Sequence, residues 1–162
     1  MFLGRIIIFV LSNISCHPEE QETMQIDTHN PEFQDALNLI QYTRQSVFLT
    51  GKAGTGKSTF LKYVCAHVKK KHVVLAPTGI AAINAGGSTL HSFFKLPFHP
   101  LLPDDPNFSL KGGKLHSFLK YSADHRKLIK EIELVIIDEI SMVRADIIDY
   151  IDKVLRVYSQ NM

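Results

Sequence analysis

Several things are scarce in this chain. It has two cysteines, Cys16 and Cys65, whose spacing fits neither a zinc site nor a disulfide framework. Neither is therefore inferred, and a reducing, cytoplasmic setting suits the sequence best. Cys65 falls on the apolar side of a predicted helix and is expected in the core. Net charge is also small, at +2 from 18 basic and 16 acidic residues. The overall balance thus does not announce a nucleic-acid partner. The basic residues are uneven, however: Lys69, Lys70 and Lys71 form one cluster, and Lys111, Lys114, Lys120, Arg126, Lys127 and Lys130 thicken another stretch. A solvated face is the plain explanation for both. Nowhere does an apolar run approach the ~20 residues that cross a bilayer, so no stable membrane association is expected.

The first residues, MFLGRIIIFVLSNISC, carry one arginine and an apolar run from Ile6 to Leu11. That resembles a short signal peptide. The run is brief, and Asn13 stands where a lipoprotein site would have a small apolar residue. The polar stretch HPEEQETMQIDTHN follows and reads as disordered; Met24 is an alternative start. Residues 1–29 are therefore expected to be a hydrophobic leader and disordered segment, and residues 30–162 one partial domain. At 162 residues the chain has length for about one domain with a real core.

From Pro31 the pattern becomes helical, with Phe33, Ala36, Leu37 and Ile40 on one face and Asn30 as the cap. The run QSVFLT (residues 45–50) reads as a strand. Phe60, Leu61, Val64 and Val68 mark a second helix, and HVVLAP a second strand stopped by Pro77. Thr78 can cap a short helix, GIAAINA, that ends at Gly86 and Gly87. PFHPLLPDDPNF must be loop. A helix around residues 124–131 leads to the apolar strand LVIID, and a last helix carries Ile147, Ile151, Val154, Leu155 and Tyr158 on one stripe. Strands alternating with helices, two of them apolar throughout, indicate an α/β fold: a parallel sheet with helices on both faces. Ligands of such sheets bind beyond the carboxyl ends of the strands. The turn after Thr50, the Pro77-Thr78-Gly79 run and Asp138-Glu139 all sit there.

Gly51, Lys52, Ala53, Gly54, Thr55, Gly56, Lys57, Ser58 and Thr59 span the pattern G-x-x-x-x-G-K-[ST], the phosphate-binding (Walker A) loop of P-loop NTPases. Its glycines let successive N–H groups turn inward, and the following helix N-terminus adds an anion site. Lys57 is placed to reach the β- and γ-phosphates of ATP, and Ser58 to ligate Mg²⁺. Asp138, at the end of LVIID, is the second candidate Mg²⁺ holder. Glu139 beside it can orient and deprotonate an attacking water. The pair favours ATP hydrolysis over transfer to a small acceptor. There is no Asn-Lys-x-Asp guanine reader, and no Leu-Ser-Gly-Gly-Gln of transporter ATPases.

Three stretches, FLTGKAGTGKSTFL, LAPTGIAAINAGGSTLHSFF and LVIIDEISMVRADIID, resemble successive motifs of superfamily 1 DNA helicases. The likeness is closest to the Pif-type (petite integration frequency) family, relatives of RecD, and covers residues 33–158. It implies a RecA-like fold and ATP-driven 5′-to-3′ unwinding of DNA, with single-stranded and forked DNA as partners. DNA repair, recombination and telomere maintenance, and contacts with replication or repair proteins, belong to the same expectation. By this resemblance Gln34, which lies 17 residues before Gly51, reads the adenine base; Gln41 and Gln45 are nearby alternatives. Thr78 and Gly79 match the motif that grips DNA phosphate, although a plain helix cap would look the same. His91 and Phe93 would contact bases or sugars, since aromatic faces stack on single strands; packed side chains are the competing explanation. Ser141 and Met142 match the family's run without a distinct role.

The family's later motifs, its γ-phosphate arginine and its second RecA-like domain do not occur before Met162. The expectation is thus the amino-terminal part of a helicase motor. The alternatives are a stand-alone P-loop ATP-binding module and an inactive remnant. The resemblance further implies that a strand belonging between SVFLT and LVIID would come after the last helix, leaving a central slot empty and the chain poorly soluble or oligomeric.

Overall fold

The computed structural model describes residues 6–10, 29–97, 99–100 and 121–159. All but His29 and Asn30 of the expected disordered stretch, Met24 included, and most of the Pro97–Phe108 loop lie outside the described residues, as do Lys111, Lys114 and Lys120. The elements are β1 (Ile6–Val10), α1 (Pro31–Tyr42), β2 (Val47–Leu49), α2 (Lys57–His67), β3 (His72–Ala76), α3 (Gly79–Asn84), β4 (Ser88–Thr89), α4 (Leu90–Phe94), α5 (Ala123–Glu131), β5 (Leu134–Ile137) and α6 (Ala145–Ser159). A single 3₁₀ turn, Ile140–Met142, precedes α6.

The five strands form one sheet in the order β2-β1-β5-β3-β4, and every pairing is parallel. Two apolar layers cover it. Ile8, Val10, Leu134 and Ile136 join Ile40 of α1 and Phe60, Leu61 and Val64 of α2 on one face. Val135 and Ile137 join Leu90 and Phe94 of α4, Ile129 of α5 and Tyr150, Ile151, Val154 and Tyr158 of α6 on the other. All four residues of β5 are buried, because a strand covered on both faces has no polar side.

The slot between β2 and β5 is not empty, contrary to expectation. Ile6–Val10, from the stretch expected to stand apart as a leader, fills it. Ile8, Phe9 and Val10 pair with Val47, Phe48 and Leu49 on one side, and Ile6–Phe9 pair with Leu134–Ile137 on the other. An unpaired slot would orphan backbone N–H and C=O groups on both flanking strands, and an apolar run at hand satisfies them.

Local devices fix the remaining elements. Asn30 caps α1, its side chain accepting from the Glu32 and Phe33 N–H groups at 2.9 and 3.2 Å. The Lys70 ammonium closes the other end of α1, donating to the Ile40 and Thr43 carbonyls at 2.7 and 3.0 Å. Lys71 pairs with Glu131 at 2.8 Å. Two lysines of the basic cluster thus serve the fold. Gly87 allows β4 to reach β3: a Cβ there would lie 2.1 Å from the Val74 carbonyl oxygen. Gly87→Ala should therefore push β4 and the following α4 off the sheet edge, at about 1–3 kcal/mol. Urea unfolding of the two chains would measure this.

Candidate functional site

The phosphate loop leaves the carboxyl end of β2 and enters α2 directly. Gly54 and Gly56 take the left-handed conformation, at φ 79° and 81°. Gly56 is the cap residue of α2 and has no side chain with which to bond the helix's first N–H groups. At Gly51 a Cβ would lie 2.7 Å from Thr55 Oγ1, so a side chain there would have to displace the Thr55 hydroxyl. Thr55 braces the turn by donating its hydroxyl to the Lys52 carbonyl at 2.8 Å.

Lys57 lies inside this turn and is only 7% exposed. Its ammonium donates to the carbonyls of Gly51 and Lys52 at 2.8 and 2.7 Å and more weakly to Thr55 Oγ1 at 3.4 Å. A cation is therefore held at the centre of a backbone turn whose helix N-terminus also favours an anion.

Asp138 follows β5, its N–H bonded to the Leu75 carbonyl at 2.9 Å. One of its carboxylate oxygens accepts the Glu139 N–H, also at 2.9 Å. Glu139 is 4% exposed and left-handed at φ 54°. Such a conformation costs a non-glycine residue about 1–3 kcal/mol. Burial, and then the Asp138 charge, raise the Glu139 carboxyl above its ordinary value, while the Lys57 charge pulls it back.

Ser58, Asp138 and Glu139 border one cavity of about 470 Å³ that runs between α2 and α3, past Lys62, Cys65 and Asn84. The structure thus brings Ser58, in the first turn of the loop helix, onto one cavity with the acidic pair. Lys62 and Asn84 were not anticipated. Lys62 was legible, because it lies four residues after Ser58 and shares its helix face. Thr59 sits half-buried in the first turn of α2. Cys65 is half-buried rather than fully enclosed. Gln34 is on the exposed side of α1 and does not border the cavity. Its neighbour Phe33 ties α1 to α2 through edge contacts with Phe60 and Tyr63, at centroid distances of 4.9 and 5.1 Å.

Thr78 caps α3, accepting the Ala81 N–H at 3.2 Å, and Gly79 is exposed beside it. Pro77, Thr89, His91, Ser92, Lys95 and Leu96 line a second hollow of about 500 Å³ beyond β3 and β4. Lys95, which sequence reasoning passed over, directly follows STLHSFF and is exposed in it. Phe93 does not share this hollow. Its ring packs against Phe94 and His125 at 5.0 and 5.2 Å, and its carbonyl accepts from His125 Nε2 at 2.8 Å. It borders a separate depression with Lys71, Asp124 and Lys127.

A phosphate loop and an acidic pair at the carboxyl ends of β2 and β5, one strand apart in a parallel sheet, define a P-loop nucleotide-binding fold of the RecA-like kind. A family model described as PIF1-like helicase matches residues 29–162. The chain belongs to the PIF1-like helicase family. It is 38% identical over 117 residues to the ATP-dependent DNA helicase Pif1 of Bdellovibrio bacteriovorus, covering 70% of this chain and 24% of the relative. The structure of a Bacteroides Pif1 in complex with ADP-AlF4 is 51% identical, with a TM-score of 0.69, over 80% of this chain and 28% of that one. A Bacteroides Pif1 bound to single-stranded DNA is 50% identical, with a TM-score of 0.68, over 81% of this chain and 28% of that one. The chain thus spans between 12% and 29% of the length of the relatives and solved structures it matches.

The raised Glu139 carboxyl has a consequence for stability. The folded chain binds this proton more tightly than the unfolded chain does. The gain is full below the unfolded value and is lost as pH rises through the folded value. Glu139→Gln should therefore raise the melting temperature at pH 7 and lose that advantage as the medium is acidified through the ordinary glutamate range. Melting curves at stepped pH would check this.

Proposed function

We propose that the chain forms the nucleotide-binding part of an ATP-dependent DNA helicase with 5′-to-3′ polarity. The observation that carries this is the shared cavity in which the first turn of α2 meets Asp138 and Glu139. Membership of a helicase family supports it. Lys57 and the N–H groups of residues 51–59 hold the β- and γ-phosphates. Glu139, a carboxylate moved toward neutral pH, orients the attacking water and takes its proton. Ser58 and Asp138 offer hard oxygen donors on one cavity, which fits Mg²⁺, an ion that takes few protein ligands beside water and phosphate oxygens. Bound there, Mg²⁺ would supply charge neutralisation at the phosphates. Gln34 is kept as the adenine reader on its sequence position.

DNA is assigned to the face beyond β3 and β4. Thr78 and Gly79 begin α3 there, and His91 lines a hollow beside them to which Lys95 adds a cation. The single-stranded DNA complex of the Bacteroides relative supports a strand as ligand. Phe93, packed against His125, is assigned to DNA only through the resemblance. A cytoplasmic setting belongs to the same proposal.

Lys57→Ala should weaken Mg-ATP binding roughly 10–100-fold, the loss of one charged hydrogen-bonding group. Glu139→Gln should keep binding but slow hydrolysis by roughly 10²–10⁴-fold. Titration calorimetry and phosphate release separate the two effects, and full hydrolysis by Glu139→Gln would remove the role given to Glu139. Affinity for single-stranded DNA should fall as salt rises. His91→Ala should lower it by about 1–3 kcal/mol if the ring stacks on a base. A lowered melting temperature with unchanged DNA affinity would instead make His91 a packing residue.

A further inference from the structure

β2, which carries the phosphate loop, has one strand neighbour among the described residues, and that neighbour is β1. β5, which carries Asp138 and Glu139, reaches β2 only across β1. The register is tight at the carboxyl end, where Val10 stands opposite Leu49 and Phe9 opposite both Phe48 and Ile137. Side chains of β1 enter both layers. Ile8 and Val10 are fully buried among the α1 and α2 side chains, while Phe9 packs on the α5 and α6 side, 6.5 Å from the Phe48 ring. Each strand step spans about 4.8 Å, so β1 is the spacer between the two halves of the nucleotide site.

We propose that Ile6–Val10 is a positioning strand. Inserted within its own chain, it completes the sheet and sets the separation between the phosphate loop and the Asp138-Glu139 pair. The functional half of this statement rests on the nucleotide reading above; the placement of the strand does not. The slot accepts a five-residue apolar β-segment in parallel register, with branched side chains toward α1 and α2 and an aromatic one toward α5 and α6.

Two measurements on the 162-residue chain decide it. First, cysteines are placed at the register pair as Phe9→Cys with Phe48→Cys, and Cys16 and Cys65 are changed to serine. Strand neighbours of this kind are within disulfide reach. Mild oxidation should give an intramolecular crosslink in a chain of unchanged mass. No crosslink, or a crosslink joining two copies, would overturn insertion within the chain. Second, Ile8→Asp places a charge in the buried layer. It should remove amide protection from both Val47–Leu49 and Leu134–Ile137, whereas Ile8→Val should keep it. The same Asp variant should bind Mg-ATP roughly tenfold or more weakly, since misplacement by about 1 Å is costly in such sites, and Ile8→Val should restore affinity. Protection and affinity that are indifferent to Ile8→Asp would overturn the positioning role. A formed crosslink with no Mg-ATP binding by the parent chain would refute the nucleotide reading and its functional consequence, and leave the strand placement standing.

Discussion

Everything proposed for this chain depends on the lateral ladder of a parallel sheet. The phosphate loop and the acidic pair share no helix and no turn. They are held in relation by backbone hydrogen bonds that run from β2 through β1 to β5 and on to β3. Parallel ladders tolerate little local adjustment, because both faces are packed and a one-residue slip would turn every side chain to the wrong layer. In β5, Leu134 and Ile136 serve one core while Val135 and Ile137 serve the other. That alternation fixes where Asp138 emerges, as firmly as any contact made by Asp138 itself.

Within this frame the electrostatics are economical. A buried ammonium and a buried carboxylate are each costly without compensation. Lys57 is compensated by loop carbonyls, and Glu139 only in part by the Lys57 charge. Its carboxyl is therefore left raised, and its backbone is separately strained at φ 54°. Its placement follows from the sharp turn that joins β5 to the 3₁₀ segment, where the Met142 N–H returns to the Glu139 carbonyl at 3.0 Å.

Much of this was legible in the sequence. Caps at Asn30 and Thr78 depend on residues two or three positions away, and periodicity marks helices from the helix's own residues. The phosphate loop is likewise a local pattern with a local reason. The role of Ile6–Val10 was not legible. A five-residue apolar run has the same composition in a signal peptide as in a central strand, and what distinguishes them is a partner more than a hundred residues away. Phe93 is a different kind of case, since its ring packs against Phe94 and His125 rather than bordering the hollow that holds His91. Residues two apart on a helix do not share a face, so His91 and Phe93 could not both turn to one ligand from α4, and helical geometry alone carried that warning. Gln34 lies between these cases, since its spacing is a family resemblance and its position on exposed α1 is set by Asn30 and Phe33.

The pairing of Ile6 with Leu134 also bears on how the molecule is made. β1 precedes its neighbour β5 by more than a hundred residues, so it is translated well before that partner. At about 5–20 residues per second, on the order of ten seconds separate their appearance at the ribosome. Until β5 is made, the edge of β1 that it covers has no partner among the described strands. Such long-range closure slows folding and lengthens exposure to aggregation. The length of that exposure is set by the order of the strands rather than by the final stability of the sheet.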